Sequence, residues 1–79
     1  GGIDIETSLQ SQDDDVQIKQ VSFYIDNRLK HEDTTAPYKW TWDEKIIGKY
    51  TIKVEAYDST DNMLDSDQIE VSIFNLDLK

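Results

Sequence analysis

Apolar and polar residues alternate along most of this chain with a period of two, the repeat of a β-strand that buries one face. Over residues 3 to 9, Ile3, Ile5, Thr7 and Leu9 fall on one side and Asp4, Glu6 and Ser8 on the other, which predicts a half-buried strand. Residues 18 to 26 resume the pattern, with Val21, Phe23 and Ile25 opposed to Ser22, Tyr24 and Asp26. Over 38 to 43, Tyr38, Trp40 and Trp42 alternate with Lys39, Thr41 and Asp43. Three large aromatics on one face imply a deep core, with both tryptophans buried in it. From 49 to 58, Tyr50, Ile52, Val54 and Ala56 alternate with Thr51, Lys53, Glu55 and Tyr57, the longest such run. A last strand over 68 to 75 sets Ile69, Val71 and Ile73 on one face.

The segments between these runs carry turn chemistry. Ser11 to Asp15 is polar and contains three consecutive aspartates, which predicts a solvated loop. Asp26-Asn27 tolerates left-handed backbone and suits a tight turn into a short strand at Arg28 to Lys30, followed by a polar connection from His31 to Ala36. Pro37 lacks an amide donor and belongs where a strand starts. Residues 43 to 48 read as a loop whose Ile46 or Ile47 turns inward and whose Gly48 permits a turn, and Asp58 to Asp67 reads as a polar stretch. No segment sustains the helical period, and short strands separated by turn signals make the chain all-β, a sandwich or barrel. Seventy-nine residues suit one domain over 1–79, with residues 75–79 as tail or linker.

Charge and composition narrow the function. The net charge of -9, from 17 acidic and 8 basic residues, repels phosphate backbones and anionic bilayers, so nucleic acid is not an expected partner. No apolar run approaches the roughly 20 residues that span a bilayer, so no membrane insertion is expected. With no cysteine, thiol catalysis, zinc fingers and disulfide staples are excluded. Nucleophilic catalysis needs a base oriented beside a nucleophile. The single histidine, His31, sits between Lys30 and Glu32 in what reads as a solvated surface connection, so no enzyme activity is expected. Calcium is the one conceivable cofactor, because it wants several converging carboxylate and carbonyl oxygens. Asp14, with Asp13 and Asp15, and Asp58 with Asp61 are its candidate ligands. Counting an EF-hand from Asp58 puts Met63 at the glycine position and Ile69 at the bidentate glutamate position, so that register fails and solvated acidic loops are the preferred reading.

Three segments resemble a known family. VSFYIDN at 21–27, APYKWTWDE at 36–44 and GKYTIKVEAYDSTDN at 48–62 are similar to the signature segments of bacterial immunoglobulin-like domains, in the right order and across about two-thirds of the chain. Asn27 and Asp61 stand where that family carries glycine, and both residue types tolerate turn geometry. The resemblance implies an antiparallel immunoglobulin-like β-sandwich of Greek-key connectivity, with residues 3–9 as strand B, 18–26 as C, 38–43 as E, 49–58 as F and 68–75 as G. Strand A would lie before Gly1; a sandwich lacking it leaves strand B at a sheet edge. Tyr50 resembles the tyrosine that braces the start of strand F in such folds.

That frame assigns roles. Trp40 and Trp42 are expected to fill the core rather than to form a sugar-stacking platform. With C, F and G as neighbours, Tyr24, Tyr57 and Phe74 point outward, and Tyr24, Phe74 and Lys53 form the candidate docking surface near one end of the sheet. The family implies a non-catalytic accessory module, a spacer or docking domain in a larger extracellular or cell-surface protein. Its partners would be neighbouring domains of the parent chain and a cell-surface protein or polysaccharide. The alternative is a carbohydrate-binding module attached to a secreted hydrolase, which requires exposed aromatics in a row or cleft.

Overall fold

A computed structural model describes residues 2–43 and 47–74. It contains six strands: β1 (Ile3–Glu6), β2 (Gln20–Ile25), β3 (Arg28–Asp33), β4 (Lys39–Trp42), β5 (Gly48–Tyr57) and β6 (Met63–Ile73). They form two antiparallel sheets, β1-β4 and β3-β2-β5-β6, packed face to face as an immunoglobulin-like sandwich.

The alternation read from the chain explains what lies between the layers. β1 and β4 pair so that Ile3 opposes Trp42 and Ile5 opposes Trp40, which sets two β-branched residues beside two indoles on one face. From the larger sheet, Val21, Phe23, Val54 and Ala56 form one buried group, packed by Ile5, Leu9, Ile18, Tyr38 and Trp40. Ile25, Trp42, Ile52 and Ile73 form the other, packed by Ile3, Tyr50 and Val71 as well as by Ile5 and Trp40. Ile5 and Trp40 therefore join both halves of the core. Tyr50 presents its ring edge-on to Trp42 at 4.8 Å between centroids. Tyr38 donates its hydroxyl to the Ile18 carbonyl at 2.8 Å, tying β4 to the segment that leads into β2.

The turns follow their residues. Asp26 and Asn27 both hold positive φ, 51° and 66°, as a two-residue hairpin between β2 and β3 demands. Asp26 is also locked to β5, because its carboxylate accepts the Thr51 amide and its own amide donates to the Thr51 carbonyl, each at 2.9 Å. Asp61, at φ 63°, turns the chain between β5 and β6.

Several boundaries differ from the sequence reading. β1 stops at Glu6 instead of Leu9 because its partner β4 starts at Lys39, opposite Glu6, although Leu9 still packs inward. β3 runs through Asp33, since β2 offers pairing as far as Val21 opposite Asp33; His31 is thus part of a strand and not of a loop. β6 begins at Met63, well inside the stretch read as polar connection. Ile47 is 59% exposed and does not turn inward, while Ile46 and the tail 75–79 lie outside the described residues.

The tryptophans also divide. Trp42 is 2% exposed, whereas Trp40 is only half-buried, at the side of the sandwich, where His31 stacks on it. Acrylamide should therefore quench the two unequally. In a Trp40→Phe variant the remaining Trp42 should be shielded, and in Trp42→Phe the remaining Trp40 should be quenched several-fold more readily; equal quenching would contradict this packing.

Candidate docking surface

The outer face of the four-stranded sheet carries the side chains that alternate away from the core. Tyr24 on β2 lies in register with Lys53 on β5 and with Leu29 on β3. The Lys53 ammonium sits over the Tyr24 ring, 4.6 Å from its centroid, a cation–π contact that also fixes the lysine stem against the sheet. Leu29 is 49% exposed, an apolar side chain at the rim of this row. Its outward direction comes from the irregularity between Phe23 and Tyr24, which shifts the register of β3 so that His31 opposes inward-facing Phe23 while Leu29 opposes Tyr24.

Glu55, two residues along β5, connects this row to Tyr57. The Tyr57 hydroxyl donates to a Glu55 carboxylate oxygen at 2.7 Å, and Lys53 stands 3.9 Å from the other oxygen. That hydrogen bond, with partial burial, raises the Tyr57 hydroxyl far above its ordinary value, since ionisation would set two anions side by side. Tyr24 is raised as well, first by burial and then by the hydrogen bond and charge of Glu55. The face is thus a polar and aromatic cluster in which Tyr24, Lys53, Glu55 and Tyr57 each contact a neighbour.

This arrangement divides the trio expected from the sequence. Tyr24 and Lys53 touch, but Phe74 follows Ile73, which pairs with Gly48 at the far end of β5. At about 3.4 Å per residue, that places Phe74 roughly 20 Å along the sheet from Tyr24. Phe74 is 77% exposed and stands apart from the cluster. Tyr24 is joined instead to Tyr57, because Glu55 lies between them and interacts with both. Leu29 was missed because a register shift cannot be read from a period of two.

The other sequence candidates lie elsewhere. His31 is half-buried, 5.9 Å from Phe23 and stacked on Trp40 at 5.8 Å with ring planes 10° apart, so it closes the side of the core. Beside this stack lies an open cleft of ≈ 440 Å³ lined by Asp4, Glu6, His31, Lys39, Trp40 and Thr41. The two acidic loops do meet, since Asp15 and Asp58 line one shallow hollow, but Lys19 lines it too. Asp58 spends its oxygens locally: one accepts the amides of Thr60 at 2.8 Å and Asn62 at 3.0 Å, the other the Asn62 side-chain amide at 3.2 Å. Asp14 and Asp61 are exposed. Among the described residues no three His, Cys, Asp or Glu side chains are grouped to hold a metal ion.

The two-layer packing and strand order define the class: an immunoglobulin-like β-sandwich module. Comparison with known proteins then places it. The sequence model of the bacterial Ig domain family matches residues 2–61, and the chain belongs to that family. Among solved structures it is similar to the fibronectin(III)-like modules of CbhA from Clostridium thermocellum, at 27% identity and a TM-score of 0.79, over 92% of this chain and 78% of that one. A comparison with curated protein sequences found no match.

Two measurements check the electrostatics. In a spectrophotometric titration, Glu55→Gln should let Tyr57 ionise closer to the ordinary 10.0; an unchanged titration curve would show that Glu55 does not govern it. The amides of Asn62 and Thr60 hold the Asp58 carboxyl at about 2, below its ordinary 3.8. A depressed folded-state pKa stabilises the fold above the unfolded value and is lost as pH falls through the folded one. The unfolding midpoint in denaturant should therefore drop between pH 3.8 and about 2, and Asp58→Asn should make that drop shallower.

Proposed function

We propose that this chain is a non-catalytic accessory module of a larger extracellular or cell-surface protein, and that it docks a neighbouring domain on the outer face of its four-stranded sheet. One observation carries the reading: the row Leu29–Tyr24–Lys53, where an exposed apolar side chain, an aromatic ring and a cation seated over that ring share one face. Aromatic and long amphipathic residues whose rotamers are already fixed lose little entropy when a partner covers them. Modules of this family and of the fibronectin(III)-like kind are generally accessory domains, which agrees with such a role. No described helix is long and apolar enough to cross a membrane.

A second reading, carbohydrate binding, draws on the cleft beside Trp40, where a partly exposed indole lies among Asp4, Lys39 and Thr41. The burial of Trp42 and the stacking of His31 on Trp40 leave no row of free aromatic faces there, so docking is preferred.

Hydroxyl-radical footprinting of the 79-residue chain alone and within its parent protein tests the choice. Tyr24 and Leu29 should be labelled several-fold less in the parent; equal labelling in both would sink the docking reading. Electrophoresis of the module through polysaccharide-containing gels should show no retardation, and retardation abolished by Trp40→Ala would establish the sugar reading in its place.

A further inference from the structure

β3 is the outermost strand on its side of the larger sheet, so side chains on its inner face emerge at the flank of the sandwich. Arg28 opposes Ile25 and shares its face, yet Ile25 is 5% exposed while Arg28 is open to solvent. The irregularity in this ladder makes Lys30 an extra residue, between Leu29 opposite Tyr24 and His31 opposite Phe23. Arg28 and Lys30 both line an open flank cleft of ≈ 390 Å³, with Ile25, Asp26, Trp42 and Tyr50 as its other described walls. Asp26 is the one carboxylate among these, and it is committed to the Thr51 amide at 2.9 Å. The Arg28 side chain has no hydrogen-bond or ion-pair partner among the described residues. On a chain of net charge -9, two cations thus converge on one concavity with an apolar and aromatic wall.

We propose that this flank cleft binds a uronate, a sugar ring that carries a carboxylate. The Arg28 guanidinium is a planar fork that can donate two parallel N–H groups to a carboxylate, and Lys30 adds a second positive charge to the same hollow. Ile25, Trp42 and Tyr50 supply the wall that the C–H face of a sugar ring would cover. A few polar groups set beside apolar and aromatic side chains is the usual make-up of a small-ligand site. A glutamate side chain from another protein would satisfy Arg28 but leave that wall wet, so the ring is the better fit. The acidity of the chain does not forbid an anion here. At physiological ionic strength charges farther than about 8 Å are largely screened, so the two cations lining the cleft outweigh the distant carboxylates. The cleft beside Trp40 has the opposite character, since Asp4 and Glu6 line it and would repel the same ligand. The flank cleft lies on the inner side of β3, away from the Tyr24 face, so it stands or falls independently of the docking proposal.

The probe is trigalacturonate, titrated into the 79-residue chain and followed by amide chemical shifts. Its comparisons are the neutral galactose trisaccharide and a blocked glutamate–glycine peptide of equal charge. Trigalacturonate should move the amides of Arg28, Lys30 and Tyr50, and the neutral sugar should move none of them at the same concentration. Arg28→Gln should weaken binding by about tenfold, as loss of one charge-assisted pair requires. The unfolding midpoint of that variant should stay nearly unchanged, because the Arg28 side chain is exposed and holds no described partner. Absence of shifts at millimolar trigalacturonate, equal shifts with the neutral sugar, or an affinity indifferent to Arg28→Gln would each overturn the proposal. So would a glutamate–glycine peptide that binds as tightly at the same residues, which would assign the cleft to an acidic protein segment instead.

Discussion

Everything in this sandwich depends on how a four-residue strand reaches across to a four-stranded sheet. β4 contributes only Trp40 and Trp42 to the interior, yet each indole spans a width that aliphatic residues would need several positions to fill. Trp42 enters the group around Ile25, Ile52 and Ile73, and Trp40 lies against Phe23, 6.0 Å between ring centroids. A small domain without disulfides has few other means of joining two layers, and its core is correspondingly intolerant of truncation. The rest is arranged around these rings. Ile3 and Ile5 pair with them, His31 stacks on the exposed side of one, and Tyr50 meets the edge of the other.

Burial explains which parts could be read from the chain. β2 and β5 are covered on their inner face along their whole length, so Val21, Phe23, Ile25, Ile52, Val54 and Ala56 had to be apolar at alternate positions, and the pattern is plain. β6 from Met63 to Gln68 is mostly exposed, with only Leu64 and Asp65 partly buried. Its residues are free to be polar on both faces, and a real strand reads as loop. β3 is an edge strand with the same freedom, and its sequence RLKHED carries no period at all. The family resemblance covered β2, β4 and β5 for the same reason, since each carries buried side chains on its inner face. The docking face was half legible: parity sent Tyr24 and Lys53 outward together, but the pairing register that separates Phe74 and the shift that exposes Leu29 are properties of the ladder and not of any one strand.

The acidity also resolves into local work. Asp26, Asp33 and Asp58 each accept backbone amides in turns, Asp33 from Thr35 and Lys39. Charge that looks like a general field in the composition is partly turn chemistry, in which a carboxylate replaces a missing ladder partner.

Strand direction bears on how the module would respond to tension. Ile3, where β1 starts, and Ile73, where β6 ends, both pack at the Trp42 end of the sandwich. A pulling force applied through these two residues acts at one end of each antiparallel pair. It would open β1 from β4 and β6 from β5 one hydrogen bond after another, like a zipper, instead of loading all the bonds of a pair in parallel. A module gripped at these two residues would therefore give way pair by pair from the Trp42 end, at a force set by single bonds and not by their sum.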